Sequence, residues 1–150
     1  MRVLGPNVFA SPEQIVRKSL SLSSADRHGS VSVAGPDSLE AMVSLCRDGF
    51  DHVECARQAT SACADEASDL LLITGPMSLE DLSAVLHRTC RLLRDGGVLV
   101  VQLRYPRDDE AVRAALDATG MRIASTLFDL SAGCLVSHTV ERAVALRKAS

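Results

Sequence analysis

Few residues in this chain are placed to do chemistry. Four histidines stand at 28, 52, 87 and 138. None is four residues from another, so no helix turns two imidazoles toward one metal, and no metal site is expected. Five cysteines stand at 46, 55, 63, 90 and 134. Their odd number and the lack of any C-x-x-C spacing read as reduced, buried thiols and not as a disulfide framework or a zinc centre. Cys90 has Arg88, Arg91 and Arg94 close by in sequence, and such charges lower a thiol's pKa. The segment is amphipathic, however, and a buried structural thiol is the expected role. Thr74-Gly75-Pro76 closes a strongly apolar run, at the kind of strand end where doubly wound sheets hold ligands. It contains no strong base or nucleophile, so no catalytic residue is expected there. Arg104-Tyr105-Pro106-Arg107 holds the one tyrosine and could line a ligand cleft or a partner surface.

The elements that would position these residues follow from pattern. Ser11-Pro12-Glu13 opens a helix over 12–22, with Ser as cap, Pro in the first turn and Glu facing the dipole. A polar linker follows over 23–30. Val31–Ala34 predicts a short strand, stopped by Gly35-Pro36. Asp37 and Glu40 have capping-box spacing, and Leu39, Met42, Val43 and Cys46 form the expected buried stripe of the next helix. Gly49 ends it. His52–Cys55 is a second, weaker strand, and 58–68 reads as a loop or short helix.

Asp69–Thr74 is a continuous apolar run, as in a parallel strand covered on both faces, with Asp69 as a turn residue at its start. Ser78, Asp81, Met77 and Leu82 give a cap and a hydrophobic staple. The helix they open buries Leu82, Val85, Leu86 and Leu93 and stops at Asp95-Gly96-Gly97. Val98–Leu103 is a second buried strand. Asp108-Asp109-Glu110 then opens a helix with Val112, Ala115, Leu116 and Thr119 on one face, ended by Gly120. Met121–Leu130 and Cys134–Val140 flank Ser131-Ala132-Gly133 and read as an antiparallel hairpin. No internal repeat or low-complexity tract is apparent.

This alternation implies an α/β fold: a doubly wound, mostly parallel sheet with helices on both faces and a C-terminal antiparallel hairpin. At 150 residues and 47% apolar composition, one domain with a full core is expected. It would comprise an N-terminal helix and linker over 1–30, an α/β core over 31–140 and a tail over 141–150. A net charge of −3 with scattered signs argues against a nucleic-acid partner, which needs a basic face. No apolar run reaches membrane-span length, and with one Arg and no long apolar run Met1–Ala10 is not expected to act as a secretory signal. A cytoplasmic location, with no membrane partner, is expected.

The second half resembles class I S-adenosylmethionine-dependent methyltransferases. The resemblance is carried by Asp69–Thr74, the helix after it, the turn Leu92-Leu93-Arg94-Asp95-Gly96-Gly97-Val98-Leu99, and Thr119-Gly120-Met121 before the hairpin. It spans roughly residues 31–140 and implies a Rossmann-like methyltransferase core. Active members follow the first strand with a G-x-G-x-G turn that lets backbone approach the cofactor. Here the matching stretch is Val33-Ala34-Gly35-Pro36-Asp37-Ser38-Leu39, and only Gly35 remains. Pro36 removes a donor, and Asp37 puts a negative charge where the cofactor's carboxylate would lie. The ribose-binding acid of the family has Glu54 as its one counterpart. The resemblance thus implies a shortened domain with a degenerate cofactor motif. No cofactor is expected, and the expected role is a protein-binding or scaffolding module whose partner is another protein or a second copy. The alternative is an active small methyltransferase, in which S-adenosylmethionine would meet Gly35, Asp37, Glu54, Thr74 and Gly75.

Overall fold

The structure is a computed structural model, and it describes residues 11–56, 68–131 and 134–142. The segment expected as a loop or short helix lies outside the described residues over 57–67. So do Cys63, the hairpin turn at 132–133 and most of the expected tail.

In chain order the elements are α1 (Pro12–Ser23), β1 (Ser30–Ala34), α2 (Ser38–Arg47), β2 (His52–Cys55), β3 (Ser68–Ile73), α3 (Leu79–Thr89), β4 (Leu93–Leu103), α4 (Asp109–Ala118), β5 (Met121–Asp129) and β6 (Cys134–Arg142). Short 3-10 turns precede β4 and α4. The strands form one six-stranded sheet in the order β2-β1-β3-β4-β6-β5. The first four run parallel, and β6 lies antiparallel to both β4 and β5. The expected α/β architecture is therefore the observed one.

Two cores flank the sheet, because alternate residues of each strand face opposite ways. Val31, Val33, Leu70, Leu72, Val100 and Leu135 meet Ile15 and Val16 of α1 and Ala41 and Leu45 of α2. On the other face Leu71, Ile73, Leu99, Val101, Val136 and Val140 meet Leu82 and Leu86 of α3 and Val112, Ala115 and Leu116 of α4. Leu70 to Ile73 are at most 1% exposed, so each contributes about 2 kcal/mol of apolar burial. α1 is thus part of the fold, fixed by a capping box between Ser11 and Gln14. Among the described residues no helix is long and apolar enough to cross a membrane.

Four local expectations are corrected. In α2 the buried face is Ser38, Ala41, Ser44 and Leu45, while Leu39 and Val43 are 62% and 43% exposed and Cys46 is exposed. Two stripes compete on this helix, and the one with small residues allows the closer approach to the sheet. Asp37 makes no side-chain cap bond, so the Asp37–Glu40 capping box does not form. α3 stops at Thr89, and Gly96-Gly97 lies inside β4. There the β3–β4 register shifts between Ser68–Leu93 and Leu70–Val98, and Gly96 adopts φ +82°; the glycines make a strand irregularity, not a helix end. Asp69 lies within β3. It accepts the Ser30 N–H and pairs with the Arg94 guanidinium. Burial works to raise the pKa of Asp69, but those partners outweigh it and hold the carboxyl below its ordinary value.

Candidate functional site

Parallel strands bring the ends of β1, β2 and β3 to one edge of the sheet, because Ala34 lies beside Ile73 and Val33 beside Cys55. The sequence-predicted residues Gly35, Asp37, Thr74 and Gly75 gather there. Glu54 stands near the end of the outermost strand β2, opposite Ser32, and is exposed.

The two turns that leave β1 and β3 share a sequence, Gly35-Pro36-Asp37-Ser38-Leu39-Glu40 and Gly75-Pro76-Met77-Ser78-Leu79-Glu80. This is a short internal echo, contrary to the reading that no repeat is present. Both glycines take left-handed backbone, φ +100° at Gly35 and +97° at Gly75, where a side chain is strained. Both turns feed a helix, although Ser38 lies inside α2 whereas Ser78 caps α3 and accepts the Asp81 N–H at 3.1 Å.

The turns close on each other. Thr74 N–H donates to the Ala34 carbonyl at 3.0 Å, and Asp37 N–H reaches the Thr74 carbonyl at 3.4 Å. A Cβ on Gly35 would stand 2.1 Å from the Thr74 carbonyl oxygen; one on Gly75 would stand 2.9 Å from the Asp37 nitrogen and 3.0 Å from Pro36 Cδ. The protein's own backbone therefore uses the room that these glycines leave. Gln102 of β4 reaches across and accepts the Gly75 N–H at 2.8 Å. Sequence reasoning missed it, though a lone polar residue within Val98–Leu103 was a usable signal. Among the described residues one buried polar side-chain atom has no partner: the Thr74 hydroxyl, on a residue 1% exposed.

As to chemistry, Ser38 Oγ lies 3.6 Å from Cys55 Sγ, and neither meets a base among the described residues. The histidine with a carboxylate partner in the interior is elsewhere. His138 of β6 is fully buried. Its Nε2 lies 2.7 Å from Asp109 Oδ1 and its Nδ1 2.8 Å from Thr126 Oγ1. Asp109 also accepts from Arg113 Nε at 3.0 Å. Burial pushes the Asp109 carboxyl up, but His138 and Arg113 outweigh it and the net shift is down. An ionised Asp109 only accepts, so Nε2 donates, and in the neutral ring Nδ1 accepts the Thr126 hydroxyl. These groups lie 12 and 29 residues apart, and no sequence motif announces them.

A cleft of about 460 Å³ opens at the other edge of the sheet, among Asp26, His28, Ser30, Asp69, Arg94 and Gly96. Ligands of doubly wound sheets sit at the carboxyl ends of the strands, so this cleft lies at the opposite edge from the one where such a sheet holds ligands. Tyr105 is 49% exposed, with the Arg107 guanidinium 4.9 Å from its ring centre; the pair lies on the surface after β4. Among the described residues no three potential metal ligands cluster.

Cys90 is fully buried. Burial pushes its pKa up to about 12 against a smaller opposing effect of Arg142, so the nearby arginines of the sequence do not activate it. Thiol labelling at pH 8 followed by mass spectrometry should therefore modify the exposed Cys46 quickly and Cys90 only as the protein unfolds. Labelling of Cys90 at the rate of Cys46 would contradict its burial.

No family model matches the sequence, and no curated protein matches it. Solved structures do match in fold. A candidate hemolysin from Lactococcus lactis aligns with TM-score 0.59 at 12% identity, over 87% of this chain and 86% of that one. S-adenosylmethionine-bound CalS10, an amino pentose methyltransferase from Micromonospora echinaspora, aligns with TM-score 0.55 at 11% identity, over 89% and 93%. The [4+2]-cyclase SpnF aligns with TM-score 0.52 at 12% identity, over 87% and 80%. With the parallel sheet, its closing hairpin and the paired glycine turns already in place, these likenesses give the chain the Rossmann-like fold of class I S-adenosylmethionine-dependent methyltransferases.

Proposed function

We propose that this is a methyltransferase-like domain that no longer holds S-adenosylmethionine and serves as a protein-binding or scaffolding module in the cytoplasm. One observation carries the reading: the turn after β1 is filled from within. Gly35 faces the Thr74 carbonyl, Pro36 offers no N–H, and Asp37 brings a carboxylate to the place where a methyl donor needs bare backbone. The fold does not depend on a cofactor, because its two cores are built from strands and helices away from this turn. Leu39 and Val43 are left uncovered beside Pro12 and Arg47, which suits a surface that meets other proteins. The unbridged cysteines 46, 55, 90 and 134 suit a reducing compartment.

A second reading has one observation in its favour. The unpartnered Thr74 hydroxyl at the strand edge is the kind of group that a ligand or an ordered water satisfies, and an active small methyltransferase would bind there. Melting the protein with and without millimolar S-adenosylmethionine, or its demethylated product, separates the two. No change in Tm is expected. A rise of several degrees at saturation, as a specific ligand produces, would overturn the proposal in favour of the enzyme.

A further inference from the structure

β5 is the last strand of the sheet, nine residues long, and among the described residues no strand pairs with its outer side. It contains no proline, and Leu127 and Phe128 are 54% and 48% exposed. A long unpaired edge with exposed apolar side chains is a template for another strand.

The strand also carries a pattern that points to a particular partner. Against β6, Arg122 lies opposite Glu141 and Ile123 opposite Val140, but Ser125 lies opposite Thr139, so Ala124 is an extra residue. The bulge resets the alternation. Arg122, Ser125, Leu127 and Asp129 therefore share the α1 side of the sheet, and Ile123, Thr126 and Phe128 share the α4 side. Reading outward from Thr126, one direction gives Ser125, Ile123 and Arg122, and the other gives Leu127, Phe128 and Asp129. The two sequences match in face at every step.

We propose that β5 pairs antiparallel with β5 of a second copy of this chain, about a two-fold axis through Thr126. Such an axis, perpendicular to the sheet, keeps each side chain on its own face. Arg122 then meets Asp129 of the second copy twice, Ile123 meets Phe128 twice, and Ser125 meets Leu127 twice. Opposite charges and apolar residues thus face each other in one register, the pairing that stabilises neighbouring strands. Both charged groups are available for it. The Arg122 side chain is 79% exposed, although it also pairs with Glu141 at 3.0 Å. Asp129 accepts from Ser131 through Oδ1 alone. Thr126 is held from within, by its hydroxyl's contact with His138, so the centre of the edge is braced against the sheet. The contact joins two six-stranded sheets into one. Isologous dimers of this kind are closed, so the pairing ends at two copies.

Sedimentation velocity tests it. The native chain should shift from monomer toward dimer between roughly 10 and 500 µM, the range of a small interface. Phe128→Lys, Arg122→Asp and Asp129→Arg should each weaken the dimer about tenfold or more, since each places its defect in the interface twice. Mixing Arg122→Asp with Asp129→Arg should restore association, because every Asp then faces an Arg. Circular dichroism of each variant alone checks that it is folded. A native chain that stays monomeric throughout overturns the proposal. So does a dimer indifferent to both charge reversals, or a mixture that restores nothing. The inference goes beyond the proposed loss of cofactor binding: a melting shift with the methyl donor would overturn that reading alone, and a monomer would overturn this one alone.

Discussion

Replacing Gly35 by alanine should destabilise the protein by about 4 kcal/mol and lower Tm by roughly 8–16 °C. Two costs combine. The residue holds φ +100°, which strains any side chain. Its new Cβ would also stand 2.1 Å from the Thr74 carbonyl oxygen, and that oxygen belongs to backbone at the end of a fully buried strand, so it cannot move aside cheaply. Gly120 provides the control. It has φ +80°, but a Cβ there meets nothing within 4 Å. Gly120→Ala should therefore cost only the backbone strain, about 1–2 kcal/mol. The difference between the variants measures the contact between the two turns. If Gly35→Ala melted like Gly120→Ala, the turns would not be packed as described. The room at Gly35 would then be open to a ligand, and the case for a lost cofactor site would fail with it.

What the sequence disclosed, and what it hid, divides along physical lines. Leu70–Ile73 and Val98–Leu103 were readable because a strand buried on both faces is almost wholly apolar, with Gln102 alone breaking the second run. The order of elements gave the parallel sheet, because β-α-β connections admit few topologies. α2 misled because Leu39 and Val43 are larger than Ala41 and Ser44, and size was taken for burial; the sheet selects the small face. Gly96-Gly97 misled because glycine ends helices and also breaks strand register, and only the β3–β4 pairing distinguishes the two. Gly35, Asp37, Thr74 and Gly75, singled out in the sequence, do lie together at the β1 and β3 ends. That the two glycines serve each other was not visible, although the repeated Gly-Pro-x-Ser-Leu-Glu was there to be noticed. His138 was wholly illegible. Its partners depend on the register of β5 against β6 and on where α4 begins, and nothing local fixes either.

That buried network yields the second large effect. Asp109→Ala should cost about 2–4 kcal/mol, because it leaves the His138 Nε2–H without an acceptor in the interior. Arg113 pairs with the same carboxylate at 3.0 Å, but its side chain is 50% exposed. Solvent takes over when that pair is lost, so Arg113→Ala should cost under about 1 kcal/mol. Asp109→Asn keeps an acceptor oxygen and loses the charge, and should fall between the two. The pH dependence separates the charge from the hydrogen bond. The folded-state pKa of Asp109 lies below the ordinary 3.8, so the folded form binds that proton less readily than the unfolded chain does. Its contribution is then fully present well above pH 3.8, and it is lost as the pH falls through the lower folded value. The gap in unfolding free energy between the native chain and Asp109→Asn should close as the pH falls below about pH 4. Urea unfolding at each pH reads it directly. A gap that stayed level into the acid range would mean that Asp109 holds His138 by geometry alone. The charge of the carboxylate would then contribute nothing to the join between α4 and the hairpin that carries β5.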